Sequence, residues 1–373
     1  MTPLARHLES IASERGFILT GFASLHRLDE RAGFFSRWLA GGRSAEMGWL
    51  AKAPEKRLDP RLIDPRLRSI IMLAWPYTPP RIPDIDWRAE LRGRIAAYAL
   101  GPDYHDTVKA RAGAVAAALA VARPGSVTRV YVDTGPVFER EWAAAARLGW
   151  FGRNTNLLNR HHGSYFFLAE ILTDAEFDAP AEPYREHCGT CRRCLDLCPT
   201  GALADGYLLE PRLCISYLTI EHRGPIPRAM RPQLGAWIFG CDVCQEVCPW
   251  NSDAAAAAPV NDALAPSLAD LLALDDDAFR RRFAKSAMRR AKRRGLLRNA
   301  AIALGNSGNP AAIAPLAAAL ASEPEALVRA HAAWALGRFA ASDDARAALE
   351  RALMREPDAD ARAEISLALD QTP

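Results

Sequence analysis

Eight cysteines fall between positions 188 and 248, and the rest of the 373-residue chain has none. Cys188, Cys191, Cys194 and Cys198 follow the spacing C-x2-C-x2-C-x3-C, with Pro199 after the last. Such a run folds as a tight loop that aims three thiolates at three corners of one iron–sulfur cube. The fourth cysteine starts the next helix and points to a second cluster. Cys241, Cys244 and Cys248-Pro249 repeat the pattern one cysteine short, and Cys214 stands alone between the runs. Counting ligands gives two sets of four. Cys188, Cys191 and Cys194 take Cys248 as the crossing ligand; Cys241 and Cys244 take Cys198 crossing back and Cys214 to fill the gap. Two [4Fe–4S] clusters in a ferredoxin-like segment over 176–255 are therefore expected. Two zinc sites would use C-x2-C pairs but give no reason for the triple run and its proline. A disulfide scaffold would not be confined to one short stretch of a long chain, and disulfides are rare in a reducing compartment.

A chain of this length exceeds one ordinary core, so two or three domains are expected. Composition is globular, with 50% apolar and 24% charged residues, and the net charge of +3 carries no overall bias toward polyanions. No apolar run approaches the length of a membrane span. The opening "MTPLARHLESIASERGF" has an amphipathic helical pattern, without a signal-peptide core or a twin-arginine pair. The expectation is a cytoplasmic monomer without membrane contact.

Residues 1–175 alternate helical and strand-like segments. "RSIIMLAWPY" (68–77), "VTRVYVDTGP" (127–136) and "GSYFFLAEILTD" (163–174) read as strands, and "KARAGAVAAALAVA" (109–122) as a helix. The class is α/β or α+β. No phosphate-binding P-loop and no dinucleotide G-x-G-x-x-G after a strand is present. Asp133 sits where a strand meets Thr-Gly-Pro. This suits a catalytic side chain as well as a plain turn-forming aspartate. His105, in "DYHDTV", suits a helix-cap neighbour or a surface histidine. The stretch starts like the D-x-H-x-x-G loop that ligates cobalamin through histidine, but Val108 occupies the glycine position and that reading fails.

Beyond a linker-like 251–267, the pattern turns helical. "LLRNAAIALGNSG", "LVRAHAAWALGRFA" and "ADARAEISLALD" align on Arg298, Arg329 and Arg362, as a small α-helical solenoid resembling HEAT repeats would. Just before it, residues 280–298 hold ten Lys or Arg and no acid. A charge run is usually a solvated helix face. Unbalanced like charge on one element, however, favours a phosphate-binding stripe, with Lys285, Arg289, Arg290, Arg293, Arg294 and Arg298 as its contacts. No aromatic-rich stacking motif accompanies it, which points to backbone and shape contacts, as with structured RNA.

"MGWLAKAPEKRLDPR", "AAYALGPDYH", "VDTGPVFEREWAAAARLGWFGRNTNLL", "GSYFFLAEILTD", "CISYLTIEHRGPIP" and "GCDVCQEVCPWN" stand in the order found in epoxyqueuosine reductases, which the chain resembles from about residue 15 to 255 and more loosely beyond. The resemblance implies a cobalamin domain like that of reductive dehalogenases over 1–175, the two-cluster segment over 176–255, and a tRNA-binding helical domain over 256–373. It implies reduction of epoxyqueuosine to queuosine at the wobble base of tRNAs with GUN anticodons, the last step of queuosine synthesis. The cofactors would be base-off cobalamin without a histidine ligand and the two clusters. The partners would be a tRNA anticodon stem-loop and an external one-electron donor. Asp133 matches the family's proton donor and Arg57 a cobalamin-contacting position. The stretches around Ala97–Tyr98, Asn156–Leu157, Leu168 and Ser216 match cofactor-lining segments, and Tyr104, His105, His222 and Arg223 are polar pocket candidates. Reductive dehalogenation of small organohalides is the alternative reading with the same cofactors.

Overall fold

The segment Ser69–Pro76 is apolar at almost every position because both of its faces are covered. It is strand β2 of a four-stranded sheet in the computed structural model, which describes residues 2–81, 85–178, 180, 182, 184–205, 207–251, 256–257 and 264–370. The other strands are β1 (Leu19–Ser24), β3 (Thr128–Tyr131) and β4 (Phe166–Thr173), in the order β1-β2-β4-β3 and antiparallel throughout. This places the segment on the α+β side of the expectation. Side chains alternate across the pleat. Ile71 and Leu73 pack with Leu8, Val108, Val115 and Leu119 of helices α1 (Pro3–Glu14) and α4 (Tyr104–Ala122). Ile70, Met72 and Ala74 pack the other way, against Trp142 and Ala143 of helix α5 (Glu139–Ala145). Between them, along the chain, lie α2 (Asp29–Ala40) and the short α3 (Pro54–Leu58).

The helix starts follow from their caps. Thr2 accepts a hydrogen bond from the Ala5 N–H ahead of Pro3 at the first helical position, and Asp103 accepts from the His105 N–H at 3.1 Å. The second cap matters for the site, since it fixes Tyr104 and His105 in the first turn of α4.

Two compact units divide the chain, and neither is continuous. The first comprises Met1–Pro79, Asp103–Pro211 and Val243–Ala255; the second comprises Pro80–Pro102, Arg212–Asp242 and Ala256–Pro373. The second is built on the helices Lys292–Ser307, Ile313–Ser322, Ala326–Gly337, Asp343–Leu353 and Ala359–Leu369. Their alanine-rich faces are buried, which lets the helix axes approach closely. A short parallel pairing of Arg94–Ile95 with Trp237–Phe239 also belongs to this unit. Most of 251–267 lies outside the described residues. Among the described residues no helix is long and apolar enough to cross a membrane.

The basic run is not one stripe. Arg298 is fully buried: its guanidinium donates to the carbonyls of Leu218 (2.6 Å), Gly224 (2.7 Å) and His222 (2.9 Å). Arg293 is nearly as enclosed, paired through both terminal nitrogens with Glu323 at 2.8 and 2.6 Å. Both are therefore corrected from phosphate contacts to internal struts, because each guanidinium is enclosed and already directs every nitrogen at a protein acceptor. Arg329 repeats the theme on Glu356.

Candidate active site and cluster-binding site

Strand β3 ends in a turn that Asp133 shapes. Asp133 has a φ of +56°, and the Thr134 N–H closes on the Val132 carbonyl at 2.7 Å. This is the rarer left-handed sense of a three-residue turn, which a short polar residue tolerates better than most. Gly135 is required beside it: a Cβ there would lie 2.7 Å from the Tyr131 ring. The Asp133 side chain is open to solvent, and its Oδ2 accepts from the Tyr104 hydroxyl at 2.9 Å and lies 3.7 Å from His105 Nε2. The Tyr104 ring stacks between Phe167 and His105, with centroids 4.0 and 4.1 Å away. The Asp133 carboxylate first, and Asp103 after it, push His105 up to about 9, so its ring is a cation at neutral pH. The first unit thus brings together three of the sequence candidates around one exposed carboxylate.

Arg57 lies close by. It is buried, reaches toward the Gly135 carbonyl at 3.5 Å and stacks over Trp49, while its Nε is sealed from solvent without an acceptor among the described residues. An orphaned donor beside an exposed carboxylate fits a bound group rich in acceptors, as the amide-bearing cobalamin is. Two acids that sequence reasoning missed stand behind the turn. Glu139, at the start of α5, accepts the Asp133 N–H at 2.6 Å. Glu170 projects from the middle of β4, opposite Met72 and Tyr131, and is fully buried. The signal for Glu170 was a lone acid inside the apolar run "FFLAEILT".

The remaining cofactor candidates divide between the units. In the first, the Asn156 N–H donates to Asn154 Oδ1 at 3.2 Å, Leu157 is buried, and Leu168 lies in β4 opposite Ala74. In the second, the Ala97 N–H donates to Asp242 Oδ2 at 2.6 Å with Tyr98 next to it, and Ser216 opens the helix after Cys214. In that unit His222 Nε2 lies 3.0 Å from the Pro225 carbonyl, and Arg223 donates to the Ile220 carbonyl.

Cys188, Cys191, Cys194 and Cys248 line a single cavity in the first unit, together with Arg153, Asn154 and Trp250. The Trp150 indole N–H donates to Cys188 Sγ at 3.5 Å. Burial first, then the charges of Cys248 and Cys188, push the Cys194 thiol up to about 11. Four crowded sulfurs of this kind hold their negative charge only around a cationic centre. Among the described residues no three His, Cys, Asp or Glu side chains close on the spacing of a single ion. A cavity with a sulfur at each corner fits a [4Fe–4S] cube. The second cysteine run is held in place by Asn251, whose Oδ1 accepts from the Ser164 N–H at 2.8 Å. The approach needs a glycine at 163, where a Cβ would fall 2.0 Å from that same oxygen. Of the other set, Cys198 and Cys244 belong to the first unit and Cys214 and Cys241 to the second.

In the second unit Lys285, Arg289 and Arg294 are exposed, and Arg290, half exposed, pairs with Glu221 at 2.8 Å.

Comparison with known proteins converges. Residues 57–134 match the family model described as "Epoxyqueuosine reductase QueG, DUF1730", residues 187–251 a "4Fe-4S double cluster binding domain" and residues 283–370 "HEAT repeats". An epoxyqueuosine reductase of Alicycliphilus denitrificans is 38% identical, covering 90% of this chain and 98% of the relative, and one of Pseudomonas aeruginosa is 37% identical over 90% and 94%. Among solved structures, an epoxyqueuosine reductase with an epoxyqueuosine-modified tRNA stem-loop superposes with a TM-score of 0.89 at 30% identity, over 99% of this chain and 98% of that one. One from Bacillus subtilis superposes at 0.88 with 30% identity, over 99% of each chain, and is described as having its catalytic aspartate loop swung out of the active site.

Proposed function

The chain belongs to the epoxyqueuosine reductase family, and on that premise we propose that it reduces epoxyqueuosine to queuosine at the wobble base of tRNAs with GUN anticodons, with Asp133 as proton donor. The observation that carries this reading is the Asp133 turn, an exposed carboxylate held by Tyr104 beside the His105 cation and Arg57. The reaction adds two electrons and two protons, breaks both C–O bonds of the epoxide and releases water, leaving an alkene. Cobalamin, when bound, would supply low-potential electrons, and two [4Fe–4S] clusters would relay them from an external one-electron donor.

The chain's own residues place substrate and protons. In its protonated form Asp133 hands a proton to the epoxide oxygen as negative charge develops there. Tyr104 fixes the carboxylate rotamer through its hydroxyl, and the His105 cation offers charge stabilisation beside it. Arg57, Asn156, Leu157 and Leu168 of the first unit would line the cofactor. Cys188, Cys191, Cys194 and Cys248, all of that unit, would hold one cluster. The wobble base must leave the anticodon stack to reach the carboxylate. The exposed Lys285, Arg289, Arg290 and Arg294 grip the stem through its phosphates. In this reading 1–175 bears the reaction, 176–255 the clusters and 256–373 the tRNA contacts, in a cytoplasmic monomer.

The test is a single-turnover assay without oxygen, using cobalamin-loaded protein, a strong reductant and epoxyqueuosine-containing tRNA. Digested nucleosides should lose the mass of one oxygen, and Asp133→Ala should abolish the loss. Absence of conversion with both clusters and cobalamin bound would overturn the assignment.

A further inference from the structure

The mechanism above uses Asp133 but not the two carboxyls behind it. The turn that presents Asp133 has a left-handed φ, which is strained unless the surroundings hold it. Among the described residues, the side chain that grips its backbone is Glu139, through the Asp133 N–H. Behind Glu139 stands Glu170, whose two carboxyl oxygens are sealed from solvent and face the Glu139 carboxyl. Two acids in one apolar wall cannot both ionise, so they divide the proton between them.

The charged surroundings are few. Glu139 faces Glu170 from β4, Asp133 from the turn, Arg140 from its own helix and Arg57 from α3. Glu170 faces Glu139 and Asp133. Burial first, then the Asp133 charge, raises Glu139 to about 7, and burial first, then Glu139, holds Glu170 well above the ordinary carboxylate range. Of the two, Glu170 is the more deeply enclosed and holds its proton the more tightly.

We propose that Glu139 and Glu170 are positioning residues, a carboxyl pair that anchors the Asp133 turn by its backbone N–H and tightens it when Glu139 is ionised. The inference rests on the reading of Asp133 as proton donor. An ionised carboxylate is roughly twice as strong an acceptor as a neutral one. Protonating Glu139 weakens the grip on the Asp133 N–H, and the turn is freer to leave the geometry in which the carboxylate meets Tyr104. The anchor is tight above the Glu139 transition and loose below it. Neither acid touches the reacting atoms; both act through the backbone of Asp133.

The experiment compares the cobalamin-loaded wild type with Glu139→Gln and Glu170→Gln from about pH 6 to about pH 9. Two quantities are read: the hydrogen-exchange protection of the peptide covering 128–138, corrected for intrinsic exchange, and the single-turnover rate. In the wild type both should rise together as pH climbs through the Glu139 transition. Glu139→Gln keeps an acceptor oxygen but no charge. It should show low protection that is level with pH, and a turnover rate reduced roughly 10- to 100-fold with tRNA affinity unchanged. Glu170→Gln leaves an N–H facing Glu139, which favours its ionised form and should move the transition to lower pH. Wild-type protection and an unmoved pH profile in both variants would overturn the proposal. If Glu139→Gln does not fold, Glu170→Gln decides alone: an unmoved transition sinks the anchor. Should the wild type convert no epoxyqueuosine, the assigned reaction falls, while exchange protection still tells whether the pair holds the turn.

Discussion

At the level of single residues, the Asp133 cluster makes its own predictions. His105 should titrate near 9 by proton NMR, and Asp133→Asn should move that titration down, because the largest cause of its elevation is then gone. A histidine raised above its ordinary value of 6.5 contributes stability that is complete below pH 6.5 and is lost as pH rises through about 9. Glu139 is shifted in the same direction, which is the reverse of the usual carboxylate case. Between its ordinary 4.5 and about 7 the native state keeps a proton that the unfolded chain has released, so stability falls as pH rises across that window. Melting temperatures of Glu139→Gln should lose that decline, and a slope equal to wild type would contradict it. Tyr104→Phe removes one hydrogen bond to a charged group and should lower turnover by about 1.5–3 kcal/mol of transition-state stabilisation. Asp133 was legible in the sequence because a strand end followed by Thr-Gly-Pro marks an exposed polar turn. Its backbone twist and its partnership with Glu139 were not, since both depend on where α5 packs against the sheet.

The elements tell a second story of what sequence patterns carry. The long apolar runs of β2 and β4 were readable because burial on both faces leaves no polar alternation to confuse them. The repeat in the last third was readable from Arg298, Arg329 and Arg362. Yet Arg298 was also counted among phosphate contacts, and a residue that recurs at a fixed helical position is more apt to be a strut. Composition counts charges, whereas only packing decides which way a guanidinium points. Arg298→Met should leave the carbonyls of Leu218, His222 and Gly224 short of donors, costing about 1–3 kcal/mol for each that stays dry. Urea unfolding would measure it. Arg293→Ala strands Glu323 and should cost about 3–5 kcal/mol by the same assay. Neither loss belongs to the nucleic acid.

For the molecule as a whole, the tRNA surface should be sought where charge is free. Reversing Lys285, Arg289 and Arg294 together should flatten the plot of log affinity against log salt by about 2–3 units while leaving the unfolding midpoint near wild type. A slope that does not change would move the tRNA surface elsewhere. The pairing of cysteines into sets came from spacing, and Cys188, Cys191, Cys194 and Cys248 line one cavity. That cavity also has a history. Three of its sulfurs come from one short loop, and the fourth, Cys248, belongs to a stretch reached only after the chain has passed through the other unit. At about 5–20 residues per second of synthesis, Cys248 follows Cys194 by roughly 3–11 seconds. During that interval a nascent chain carries an open, three-thiol cup. Such a cup is a soft trap for stray zinc or copper and an easy target for oxidants. Delivery of iron and sulfide to a growing chain therefore gains nothing by being early. The order of synthesis favours metal insertion after residue 251 has emerged, when Asn251 can lock the stretch bearing Cys248 against Ser164.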